Sequence, residues 1–293
     1  RLERPGRAAM EQPRGGERAS GHPHADSKSA SAASASTRRA CVASAGRLLL
    51  ATLVDREGAR RGKRRASLYE GGGRFCNVRE RDRQAAWLVV AANRLRLHAD
   101  SYCLAVSLLD EVISVKAVNR KYVNIVAAAS LYIARKLCEE TDECPADFLA
   151  SLELSYKPSE LTRMELTVLT LLEWDAYLPT VERFVSAQLA VLGMAWAAPA
   201  LKPAIEAVMC DGAVARGYAA SALALGVVSL HLQSVMPGQW LSCTHGLAGD
   251  MKVEMGNLIC VRETISRLLP EASNYRNPFA PLMLTPDGSE DDL

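Results

Sequence analysis

AAASLYIARKLCEE, residues 127–140, opens with eight uncharged residues, turns to Arg135 and Lys136, and closes on Glu139 and Glu140. A helix apolar on every side needs other helices around it, so this stretch predicts the centre of an all-α bundle. The texture returns about 92 residues later in AASALALGVVSL, 219–230. Amphipathic patterns flank both. RDRQAAWLVVAANRLRL (81–97) and SYCLAVSLLDEVIS (101–114, capped by Asp100) precede a third helix at roughly 120–138. PADFLASL (145–152) and SELTRMELTVLTLLEW (159–174) follow it, the latter with Pro158 in its first turn. After Pro179 a second round reads as helices at 180–194, 200–210, 217–233, around Trp240, and at 253–269. The expectation is an internal duplication: two five-helix bundles, each around a buried third helix, with no strands.

Charge divides the chain. Residues 1–80 carry 17 Lys/Arg against 8 Asp/Glu, net +9, and the remainder 18 against 25, net −7. The first 80 are rich in Ser, Ala, Gly and Arg, which predicts a mostly disordered basic arm, with RLLLATLV (47–54) as a short helix docking on the body. The chain starts at Arg1, and Met10 reads as the natural start, leaving residues 1–9 outside the natural protein. The eight cysteines form no CxxC pair and the five histidines lie at no metal-ligand spacing, so neither a zinc site nor disulfides are expected. The longest apolar run, Tyr218 to Leu230, is 13 residues, short of the ~18–20 a bilayer needs. No Ser/His/Asp set, phosphate loop or convergent carboxylate pair points to an enzyme, and no cofactor is expected.

Two charges are out of place. On the fifth helix Glu165 falls inside the stripe of Leu161, Met164, Val168 and Leu172, where a lone carboxylate is costly. Lys136 poses the same problem at the end of the central helix. Lys136 snorkelling to solvent and Glu165 at the bundle edge is one reading. The other places them side by side at the surface, held for a partner that needs both a cation and an anion. Arg81 and Asp110 form a further candidate pair, as readily a buried structural ion pair as a functional one.

RDRQAAWL, AVSLLDEVIS, AAASLYIARKLCEE and ELTRMELTVLTLLEWDAYLPT stand in the order and spacing of a cyclin box. LPTVERFV is similar to the entry of the second cyclin repeat, and SLHLQSVMPGQWLS resembles the atypical G/I-type cyclins. The resemblance implies tandem cyclin-fold repeats: a basic arm over 1–78, an N-terminal cyclin box over 79–177, a second repeat over 178–272 and an acidic disordered tail over 273–293. It implies that Lys136 and Glu165 face a cyclin-dependent protein kinase and that Arg81 and Asp110 are a structural ion pair. The chain would then be a regulatory subunit that activates or directs that kinase in cell-cycle or growth control, in nucleus and cytoplasm.

The pattern also departs from the family. The basic residue that follows the aspartate in other cyclins is Glu111 here. The apolar substrate-docking residues of the first helix are replaced by Glu80, Arg83 and Gln84, with Trp87 and Asn124 as the remnant. Docking of Arg-x-Leu substrate motifs is therefore not expected. These departures keep open a non-activating cyclin-fold scaffold. A cyclin-fold general transcription factor is disfavoured by the acidic body, and nucleic acid with it. In the tails, GARRGKRRASLY (58–69) reads as a nuclear-import signal, a basophilic-kinase site at Ser67, or a solvated arm. LMLTPDGSEDDL (282–293) sets Thr285-Pro286 four residues before Ser289, which resembles a phosphodegron for an arginine-lined ubiquitin-ligase pocket.

Overall fold

The computed structural model describes residues 26–61, 74–139 and 141–274. The chain divides into two compact units, Arg1–Ala40 and Cys41–Leu293. The described part of the first is helical throughout and begins α1 (Asp26–Arg61). The second contains the rest of α1 and, among the described residues, every other helix.

Helix starts follow local chemistry. α2 (Val78–Arg94) begins at Asn77, whose side chain accepts the Glu80 N–H, and α4 (Arg120–Cys138) at Asn119, which accepts the Lys121 N–H. Between them α3 spans Ala99–Val115. α5 (Pro145–Ser151) and α6 (Pro158–Leu171) each open on a proline, which lacks the N–H that a first turn leaves unpaired. Thr180 caps α7 (Val181–Leu192) by accepting the Arg183 N–H. Then come α8 (Ala198–Cys210), α9 (Gly212–Gly217), α10 (Ala220–Val235), α11 (Trp240–Met251) and α12 (Met255–Asn274).

The predicted bundles are present. α4 packs against α2, α3 and α6, and meets α5 through the rings of Tyr132 and Phe148, 4.9 Å apart. Residues 127–129, three alanines, are fully buried, and so is Leu131, worth roughly 1.5–3 kcal/mol of apolar transfer. α10 is surrounded in the same way by α7, α8, α11 and α12. A Cβ on Gly226 would come within 2.6 Å of Val261 Cγ1, so this glycine sets how closely α12 crosses α10. Among the described residues there is no strand, only an isolated bridge between Phe75 and Asn119.

Three expectations need correction. The basic arm is not without order: α1 runs well beyond 47–54, with Leu50 and Leu53 buried. Its stripe is Gly46, Leu50, Leu53 and Glu57, too sparse in apolar residues to stand out from a polar sequence. α9 went unforeseen because its six residues are too few to show periodicity, although Asp211 caps it by accepting the Val214 N–H. Asp100 lies within the first turn of α3 rather than capping it. The remainder of the arm, the run 62–73 and the tail 275–293 lie outside the described residues.

Candidate functional site

α4 ends in a group of contacts that aims its last turn. The Tyr132 hydroxyl donates to the Glu143 carbonyl at 2.8 Å, and Arg135 pairs with the Glu143 carboxylate. Lys136 is thereby turned towards α6, where its ammonium forms an ion pair with Glu165 and lies 4.4 Å from the centre of the Tyr132 ring. Glu165 occupies the apolar face of α6 one turn from buried Leu161 and Val168, at the rim of the bundle. Its side chain is 14% exposed and that of Lys136 36%. The costly carboxylate is resolved by pairing. A partly exposed pair of this kind is worth about 0–1 kcal/mol, so the fold does not depend on it. Leu137 and Leu166, the next residues on each helix, are exposed at 46% and 54%. The face thus presents a cation, an anion and two apolar side chains at one edge of the first bundle.

Arg81 and Asp110 meet in another way. The guanidinium donates through Nε and Nη2 to the two Asp110 oxygens at 2.8 and 2.7 Å, and Arg81 is wholly buried. Its Nη1 donates to the carbonyls of Met209 and Cys210, at 2.8 and 3.2 Å. The pair therefore ties α2 and α3 to the end of α8. Next to it, Asp82 accepts the Gly212 N–H at 2.8 Å, and burial pushes its carboxyl above the usual range. Trp87 is partly buried against the core, and Asn124 accepts a hydrogen bond from Gln84, itself 2% exposed. Gln84 has turned inward, where a surface docking residue would point out. Ser67, Thr285 and Ser289 lie outside the described residues.

The sequence reading missed a polar junction between the bundles. The Asp100 carboxylate accepts from Thr180 Oγ1 and Arg183 Nε, both at 3.0 Å. Arg183 also donates to the Leu178 carbonyl at 3.0 Å and stacks 3.6 Å over the Tyr177 ring. The cap assigned to Asp100 is supplied by Glu139, which accepts the His98 N–H at 2.8 Å and the Ser101 hydroxyl. A charge inside VERFV was the available signal for Arg183; its partner, far off in sequence, gave none. Glu182 beside it is desolvated by burial, which pushes its carboxyl up to about 7, with nearby Asp100 adding to the effect. Burial likewise holds the thiols of Cys138 and Cys210 up at about 12.

A cavity of about 270 Å³ opens between α1, α3 and the segment before α7, away from Lys136 and Glu165. Its charges are already engaged: Asp110 by Arg81, Arg60 by Asp175, and Glu57 by Ser221. Among the described residues no group of three His, Cys, Asp or Glu could hold a metal ion, and no helix is long and apolar enough to cross a membrane.

Residues 61–177, which hold both Lys136 and Glu165, match the family described as Cyclin, N-terminal domain. Over these residues the chain is similar to the cyclin family. Human cyclin-I2 is 26% identical over 224 residues, covering 70% of this chain and 60% of that protein. This likeness, which reaches beyond the first box, agrees with the expected resemblance to the atypical G/I-type cyclins. The G2/mitotic-specific cyclin-A of Patella vulgata is 30% identical over 98 residues, 33% of this chain and 23% of that one. The chain thus spans less than two thirds of the length of either relative. A viral cyclin from herpesvirus saimiri matches with a TM-score of 0.64 over 76% of this chain and 99% of its own. At 17% identity that likeness speaks for the cyclin fold alone.

Proposed function

We propose that this chain acts as a cyclin, the regulatory subunit of a cyclin-dependent protein kinase, docking through the face built on Lys136 and Glu165. One observation carries the reading: helices far apart in sequence bring a cation and an anion together at a rim, flanked by exposed Leu137 and Leu166. A pair that adds so little to folding is free to exchange partners when another surface arrives. A kinase must pair a lysine with a helix glutamate before it can position ATP phosphates. A rigid body docked against that helix shifts the kinase towards the active arrangement. The chain contributes no chemistry of its own in this scheme. Its setting is cell-cycle or growth regulation in nucleus and cytoplasm, with a ubiquitin ligase reading the tail once Thr285 and Ser289 are phosphorylated.

The test is co-purification of the full chain with a panel of cyclin-dependent kinases, with phosphorylation of a peptide substrate as second readout. Capture of one or more kinases with a rise in activity supports activation. Capture without activity supports the scaffold reading, which the carboxylate of Glu111 beside Asp110 favours. Capture of none contradicts both.

A further inference from the structure

One surface of the first bundle serves neither the fold nor the proposed kinase face. Before α2, Cys76 N–H donates to the Val118 carbonyl at 2.8 Å and Arg120 N–H to the Arg74 carbonyl at 3.1 Å. These bonds hold the N-termini of α2 and α4 side by side. Around them Arg74, Arg79, Lys116 and Lys121 are all exposed, and none forms an ion pair with a described residue. Arg74 lies 6.0 Å from the Phe75 ring centre and Lys121 4.8 Å from that of Tyr122. Phe75, Val78 and Tyr122 are themselves exposed, at 37%, 41% and 49%. Four cations with no ion pair among the described residues frame three apolar side chains, on a body of net negative charge, and suit an acidic segment that also carries apolar residues.

We propose that the occupant is the chain's own tail, 282–293. It holds Asp287, Glu290, Asp291 and Asp292 directly after Leu282, Met283 and Leu284, which matches the surface in both charge and apolar content. From Asn274 the 13 residues to Asp287 reach up to about 45 Å, comparable with the breadth of a body whose radius of gyration is about 17 Å. Tethering gives the tail an effective concentration in the millimolar range, which a free acidic peptide must outcompete. Phosphate on Ser289 would add charge to the docked segment.

Zero-length carbodiimide coupling of the full chain, followed by peptide mapping of the monomer, tests this. Adducts joining Lys116 or Lys121 to carboxylates within 287–292 are expected. They should fall several-fold in the Arg74→Glu, Arg79→Glu double variant, which keeps both lysine amines, and again at about 0.5 M salt. Adducts formed mainly with Lys157, Lys202 or Lys252, adducts confined to a cross-linked dimer, or a yield unchanged in the variant would each overturn the assignment.

Discussion

Arg81 is completely buried, yet its guanidinium donates to two carboxylate oxygens of Asp110, one of Asp82 and two backbone carbonyls. Burying a charge is tolerable only when it is satisfied in this way, and removing one partner strands the other. Asp110→Ala is therefore expected to lose about 3–5 kcal/mol in urea unfolding, whereas Glu165→Gln, which removes the carboxylate and leaves the partly exposed Lys136 ammonium, should lose no more than about 1 kcal/mol. Glu182 behaves in the opposite sense. Its carboxyl rises from 4.5 to about 7 in the folded protein through desolvation, so the folded state prefers it protonated. That contribution to stability is fully present below pH 4.5, declines above it, and is lost as the pH passes 7. Glu182→Gln should thus melt like the parent near pH 4.5 and be more stable at pH 8, by on the order of 1–3 kcal/mol. An equal pH dependence in the two proteins would contradict the burial of this carboxyl. Arg81 and Asp110 could be paired from the sequence through the family pattern. The carbonyls of Met209 and Cys210, like the Asp100–Arg183 contact, could not, because nothing local encodes which distant backbone a side chain will meet.

At the scale of the helix, α4 spans the residues that the apolar pattern marked, because a run buried on every side leaves no ambiguity about where it ends. α1 was legible only in part. Its leucines announced a helix, but its seat depends on a close approach: a Cβ on Gly46 would lie 3.0 Å from the Ala187 carbonyl oxygen and from Val191 N, both backbone atoms of α7. Backbone cannot move aside as a side chain can. Gly46→Val should lift this part of α1 from α7, at roughly 1–3 kcal/mol, and expose Arg56 and Arg60, now bound to Asp175, to trypsin. Cleavage at the parental rate would mean that α1 is held elsewhere. Glu139 belongs to this scale as well: the acid after the central helix reaches across to cap α3, which accounts for half of the acidic pair that ends the stretch.

At the largest scale, two helical bundles share one compact unit, Cys41–Leu293, and the first carries the charged pair at its rim. The duplication was readable because each bundle must surround one wholly apolar helix. The rim was readable as two misplaced charges, and their direct pairing required the folded arrangement of α4 and α6. The central claim is that this rim receives a kinase, and its orientation is the most direct thing to test. Lys136→Glu combined with Glu165→Lys keeps an ion pair in place with its charges exchanged, so helicity and melting temperature should match the parent protein. Measured by co-purification with whichever cyclin-dependent kinase the parent captures, the exchanged protein is predicted to lose at least tenfold in binding, about 1.4 kcal/mol. Binding at the parental level by a folded exchanged protein would contradict the account.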